Sequence, residues 1–209
     1  MGLLPGNLQG ERSVVADGRV AVRRPMQKGN IMSFRKANQA DIDAIEEIYN
    51  AIHTQEEAGV VAIGWDRATY PTRKTALEAL EADDLFVEVS DDDENAGEVV
   101  AAARLNKVQV PEYAEAKWEH PAPDDQVMVM HTLVVHPDRG GKGYGPKFVS
   151  FFEQYALEQG CPFLRIDTNA RNARARALYK KLGYKEVDIV PCVFNGIPDV
   201  QLVCIEKRL

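Results

Sequence analysis

After Val135 the chain runs His136-Pro137-Asp138-Arg139-Gly140-Gly141-Lys142-Gly143-Tyr144-Gly145-Pro146, and a strongly apolar helix pattern follows. Glycines between a strand and a helix let the backbone approach a ligand closely and adopt positive φ. A helix start adds amides without intrahelical partners and the positive end of the helix dipole. The chemistry that suits such a junction is capture of an anion, and a pyrophosphate in particular. Two common nucleotide loops are excluded by spacing. A P-loop sets Ser or Thr after its Lys, whereas Lys142 precedes Gly143. A dinucleotide fingerprint reads GxGxxG, whereas Gly141 to Gly145 reads GxGxG. Taken alone, the loop also fits a turn that binds nothing.

Proton-transfer groups stand on either side of it. His131 lies in the run Val127–Val135, the most apolar strand in the chain. Its ordinary pKa suits a general base, and a structural histidine fits the same place equally well. Strict alternation along a strand predicts that His131, Leu133 and Val135 face one side. Downstream, Tyr179 sits on a helix of about Asn172 to Leu182. A tyrosine is protonated at neutral pH and can donate to a leaving group. Leu178 and Leu182 flank it at helical spacing, which is also the pattern of a packing tyrosine. Cys161, Cys192 and Cys204 show no ligand spacing, so no zinc site is expected. Cys161 and Cys204 have apolar neighbours and read as core residues. The free thiols point to a reducing compartment, the cytoplasm.

These residues need a scaffold, and the rest of the chain supplies its pattern. A short strand at 33–37 precedes a helix carrying Ile42, Ile45, Ile48, Tyr49 and Ile52, which Asn38 or Asp41 caps. A second helix shows Ala76, Leu77, Ala79 and Leu80 on its apolar side. Strands at 85–89 and 99–105 flank an acidic turn at 91–97. A long polar connection, 111–125, leads to Val127–Val135, whose continuous apolar character predicts burial on both faces. A helix burying Phe148, Phe151, Phe152, Tyr155 and Ala156 ends at Gly160, a strand covers 163–167, and apolar segments at 184–190 and 200–205 close the chain. The order implies a mixed sheet with helices on its faces.

Composition restricts partners. The 209 residues carry a formal net charge of -7, with 45% hydrophobic and 27% charged side chains. Such a surface disfavours nucleic acid and is compatible with a cationic substrate. No apolar run is long enough to span a membrane. Residues 1–31 hold Arg12, Arg19, Arg23, Arg24 and Lys28 without helical or strand periodicity, and are expected to be a flexible extension ahead of one domain over 32–209.

The glycine loop together with the motif from Asn172 to Tyr184 on the next helix resembles the GNAT N-acetyltransferase superfamily. The matching residues are His136-Pro137-Asp138, Gly141-Lys142-Gly143-Tyr144-Gly145, Asn172, Leu178-Tyr179 and Leu182-Gly183-Tyr184. The resemblance is strongest over 127–186. It implies an α/β (α+β) fold: a mixed, mostly antiparallel central sheet with splayed central strands and helices on both faces. It implies acetyl-coenzyme A as co-substrate and transfer of its acetyl group to the primary amine of a small molecule or peptide. Leu133 and Val135 would pair with the pantetheine arm. Arg139, Gly141, Lys142, Gly143, Tyr144 and Gly145 would hold the pyrophosphate, and Asn172 would contact the arm. Tyr179 would serve as general acid and His131 as general base. Two departures stand out. Gly140 occupies the place of a usual Arg or Gln, and Pro146 removes one amide. They keep open a non-catalytic acyl-coenzyme A sensor of the same fold. The substrate wall would come from Glu56, Glu57, Trp65, Tyr70 and the 191–199 segment. A homodimer is compatible with this reading.

Overall fold

The computed structural model describes residues 33–91 and 96–209. The expectations for the 1–31 extension and for most of the acidic turn fall outside these residues. The elements in chain order are β1 (Phe34–Lys36), α1 (Ile42–Glu57), α2 (Arg73–Glu81), β2 (Leu85–Val89), β3 (Val99–Asn106), β4 (Val127–Val135), α3 (Tyr144–Glu158), β5 (Phe163–Asn169), α4 (Ala173–Lys181), β6 (Lys185–Phe194) and β7 (Ile197–Arg208). The strands form a sheet of order β1-β2-β3-β4-β5-β7-β6. Every neighbouring pair is antiparallel except β4 with β5. Among the described residues no helix is long and apolar enough to cross a membrane.

The helices cover the two faces unequally. α1 buries Ile42, Ile45, Ile48, Tyr49 and Ile52 with Ala76 and Ala79 of α2 against Val87, Ala102 and Val134. Asn38 caps the turn ahead of α1. Its Oδ1 accepts the Ala40 amide at 2.9 Å, and Asp41 Oδ2 accepts the Asn38 amide at 2.7 Å. Leu77, expected on the apolar side of α2, is instead exposed, because the helix turns Ala76 and Ala79 inward. On the opposite face, α3 and α4 lay Phe148, Phe152, Ala156 and Tyr179 against Phe86, Met128, Met130 and Ile166. Phe151 and Tyr155 are only half-buried. Phe151 stacks on Phe34 with ring centroids 4.6 Å apart, and Tyr155 packs tilted against Phe86 at 4.8 Å.

The polar connection before β4 packs too. Tyr113 and Trp118 fold back onto the α1/α2 face of the sheet, over Val127, Val129, Leu202 and Cys204. That face therefore has two covers, α1/α2 on one half and the 107–126 segment on the other, with a gap between them. Cys161 and Cys204 are buried, as their neighbours predicted. Burial pushes the Cys192 thiol up to about 11, which keeps it protonated at neutral pH.

Candidate active site

The site begins where the sheet comes apart. β4 and β5 pair from Val127 with Phe163 to Met130 with Ile166 and no further. Beyond that point the edge of β4 facing β5 has no strand partner. A bulge lies at the same level. β3 and β4 pair as Ala102 with Val134, then shift register to Arg104 with His131. The extra residue is Thr132, whose φ is +53°. A bulge of this kind bends the strand and re-aims its side chains.

The bulge overturns the expected alternation. Met128 and Met130 face α3 and α4, and so do Leu133 and Val135 after the bulge. His131 therefore lies on the opposite face from Leu133 and Val135. It lines a cavity of about 370 Å³ with Arg104, Asn106, Thr132 and Asp167. Its Nε2 lies 3.0 Å from Asn106 Oδ1. Asn106 Nδ2 donates to Asp84 at 2.8 Å, which orients the amide and makes Nε2 the donor to Asn106. Burial and the Arg104 guanidinium push the His131 pKa down to about 4, so the ring is neutral and weakly basic.

Leu133 and Val135 line the other opening, a cleft of about 900 Å³ that also takes in Gly141, Gly143, Gly145, Asn172 and Tyr179. Gly141 and Gly143 have φ of +79° and +88°, and Gly143 is the N-cap of α3. The amides of Gly141, Gly143 and Gly145 make no hydrogen bond among the described residues. Gly145 has ordinary φ and sits close under Leu178, where a Cβ would lie 3.5 Å from Leu178 Cδ2. Pro146 falls in the first turn of α3, where an amide has no intrahelical acceptor in any case. The Tyr144 ring is buried, with its hydroxyl 3.3 Å from Ser90 Oγ.

The remaining residues of the cleft divide between fold and ligand. Asn172 Oδ1 caps α4 by accepting the Ala175 amide at 3.1 Å, so its Nδ2 is the part left for a ligand. Tyr179 is buried on α4, 5.8 Å between centroids from Tyr184, and its hydroxyl makes no hydrogen bond among the described residues. Burial raises its pKa, so it stays protonated. Arg139 pairs with Glu98 at 3.0 Å. A Cβ at Gly140 would lie 3.0 Å from the Pro137 carbonyl and 3.3 Å from Arg174 Nη2. No larger side chain fits Gly140 without a shift, and Arg174 brings a cation from α4 to the place it leaves.

The acetyltransferase (GNAT) family model matches residues 42–184. The chain belongs to the GNAT family. Its fold is shared by a GNAT-family acetyltransferase from Streptococcus agalactiae, with a TM-score of 0.66 and 22% identity over 84% of this chain and 94% of that one. It is shared also by yncA from Salmonella typhimurium, whose structure includes acetyl-coenzyme A as its cofactor, with a TM-score of 0.58 and 23% identity over 84% and 92%. An acetyltransferase of Yersinia pestis is 34% identical over 58 residues, 28% of this chain. The chain spans 41% of the length of that relative.

Within this GNAT framework, Asp167 was not legible in the sequence. It is the first residue of β5 beyond the split, level with His131, and lines both the cleft and the smaller cavity. Tyr113 donates to its Oδ2 at 2.8 Å, and burial pushes its pKa up to about 6. Tyr70 also lines both openings, and its hydroxyl is hydrogen-bonded to Thr132 Oγ1. The early carboxylates have structural partners. Glu56 accepts the amides of Ile63 and Gly64, and Glu57 pairs with Arg67 at 2.7 Å. Neither is an uncommitted anion that draws a cationic amine. Of the 191–199 segment, Phe194 at the end of β6 and Asn195 of the following turn line both openings.

Proposed function

We propose that this protein transfers the acetyl group of acetyl-coenzyme A to a primary amine by direct attack. The observation that carries the reading is the split of β4 from β5 beyond Met130 and Ile166, which opens towards the unpaired amides of Gly141, Gly143 and Gly145. Those amides and the α3 dipole suit a pyrophosphate. Lys142, Arg139 and Arg174 line or flank the same loop as cations, and the Tyr144 amide belongs to it. The free edge of β4 at Leu133 and Val135 offers hydrogen bonds to an amide-bearing arm, and Asn172 Nδ2 adds a donor. When bound, acetyl-coenzyme A supplies an activated acyl group and a thiolate leaving group.

The chain's residues then divide the work. Amides at the Thr132–Leu133 bulge polarise the acyl carbonyl as it gains negative charge. The amine enters from the smaller cavity on the other side of the bulge. It loses its proton to the His131–Asp167 row. With a pKa of about 6, Asp167 is the stronger base of the two, against about 4 for His131. Tyr179, protonated and open to the cleft, returns a proton to the departing thiolate, whose ordinary pKa is about 8.5. Nitrogen–carbon bond formation and carbon–sulfur cleavage thus leave an amide and a free thiol.

The test is thiol release from acetyl-coenzyme A over a panel of amines. Amine-dependent release supports the reading. Tight binding of acetyl-coenzyme A with no release on any amine favours an acyl-coenzyme A sensor.

A further inference from the structure

Three adjacent strands place a row of polar side chains on one face at one level. Arg104 of β3 is the register partner of His131 on β4. Asp167 of β5 is level with His131, one residue beyond the last paired couple. All three line the 370 Å³ cavity, which is at the small end of ligand pockets, about 300 to 1,000 Å³. Neighbouring strands lie about 4.8 Å apart, so the Arg104 and Asp167 backbones are separated by roughly 10 Å, somewhat more across the split. The cavity thus has a cation at its β3 end and a carboxylate at its β5 end. Lys74 and Glu78 of α2 form an ion pair at 3.5 Å on its exposed rim.

At the Arg104 end the guanidinium is anchored by Asp84 and keeps a donor for a second acceptor. Arg104 gives Nε and Nη2 to a single oxygen of Asp84, at 3.3 and 3.1 Å. That oxygen is shared with Asn106 Nδ2. Arg104 Nη1 makes no hydrogen bond among the described residues and belongs to a side chain lining the cavity. At the other end, Asp167 receives one hydrogen bond among the described residues, from Tyr113, and keeps acceptor capacity. Tyr70 lines the same cavity, with its hydroxyl hydrogen-bonded to Thr132 Oγ1.

We infer that the acceptor is a small zwitterion: a primary amine that carries a carboxylate, held with its nitrogen at Asp167 and its acid group at Arg104. This inference rests on the acetyl-transfer reading for its name of acceptor, but the binding preference stands without it. Polycations fit poorly. A second ammonium placed beside the Arg104 guanidinium would meet like charge that the single Asp84 carboxylate only partly offsets. The volume is also too small for an oligosaccharide with several amines. A carboxylate at Arg104 meets a planar donor fork suited to it.

The experiment uses the full chain saturated with coenzyme A. Alanine, methionine, glutamine, β-alanine and γ-aminobutyrate are titrated calorimetrically beside their carboxamides, which keep the amine and lose the negative charge. The inference expects at least one acid to bind about tenfold or more tightly than its amide, the strength of a charge-assisted hydrogen bond. In the double variant Arg104→Gln with Asp84→Asn, which leaves no orphan carboxylate, that preference should collapse while the affinity for coenzyme A stays put. If no acid exceeds its amide, or if the preference survives in the double variant, the inference is overturned. Thiol release on the same panel separates the two claims. Preferential acid binding without any acetylation sinks the transfer reading and leaves the zwitterion pocket. Acetylation of amides and plain amines at rates equal to the acids does the reverse.

Discussion

Asp167→Asn is the perturbation that separates a base from a packing residue. The variant keeps an acceptor for the Tyr113 hydroxyl, so the local packing survives. In the parent chain burial lifts the carboxyl from 3.8 to about 6. About nine-tenths of it is ionised at pH 7 and about one-tenth at pH 5, so kcat/KM should fall roughly tenfold across that interval if the carboxylate takes the amine proton. In Asp167→Asn this acid limb should vanish, and the rate at pH 7 should drop by about 10². The stability sign is opposite to the activity sign. The folded chain holds this proton more tightly than the unfolded chain does, so the stabilisation is full below about pH 4 and is lost as pH rises through about 6. Ionising the buried group costs at most roughly 3 kcal/mol at ~1.4 kcal/mol per tenfold. Asp167→Asn should therefore melt no lower than the parent at pH 8. Initial rates by thiol release between pH 4.5 and 9, with a chemistry-limited amine, measure the limb; calorimetric melting measures the rest. The amine's own deprotonation raises the rate at higher pH and must be fitted as a separate limb. An unchanged limb near pH 6 in the variant would remove Asp167 from the proton path.

Other substitutions probe the remaining parts. Tyr179→Phe should lower kcat by about 10² to 10⁴ with little change in acetyl-coenzyme A affinity, and wild-type turnover would make it a packing residue. Gly143→Val places a branched side chain at φ +88°, on the loop surface facing the cleft, and calorimetry should show weakened acetyl-coenzyme A binding. His131→Gln should leave the limb near pH 6 intact, because its own pKa of about 4 lies below it; disappearance of the limb would restore the histidine as base. Glu88 is buried, both its carboxylate oxygens are without a hydrogen-bond partner among the described residues, and burial pushes its pKa up to about 8, so Glu88→Gln should raise Tm above pH 8 and change it little at pH 5. A lower Tm for Glu88→Gln at pH 9 would contradict that sign.

Much of the scaffold could be read from periodicity. The apolar spacing of Ile42 to Ile52 became α1, and Val127–Met130 became the fully buried half of β4; past the bulge only Val134 stays buried, while Leu133 and Val135 are half-exposed to the cleft. The glycine loop and the Tyr179 helix were placed by spacing alone. What escaped the sequence was the bulge. Thr132 carries no glycine-like signal, and its +53° φ is imposed by the pairing of β3 and β4 on either side of it. That one residue moved His131 to the other face. Asp167 was hidden for a related reason, since only the loss of β4–β5 pairing after Ile166 gives it two openings to face. Glu56 and Glu57 show the converse: carboxylates that look available in the sequence are spent on the Ile63–Gly64 amides and on Arg67.

The central claim is that the split between β4 and β5 brings an acetyl thioester and an amine together across the Thr132 bulge. Acetyl-coenzyme A carrying a ¹³C-labelled acetyl group, incubated with the protein and an amine panel, tests it by mass spectrometry of the products. The account predicts a labelled N-acetyl product and one free thiol for each acetyl transferred. Thiol release accompanied only by labelled acetate, or an intact thioester bound in the cleft with every amine unmodified, would contradict it.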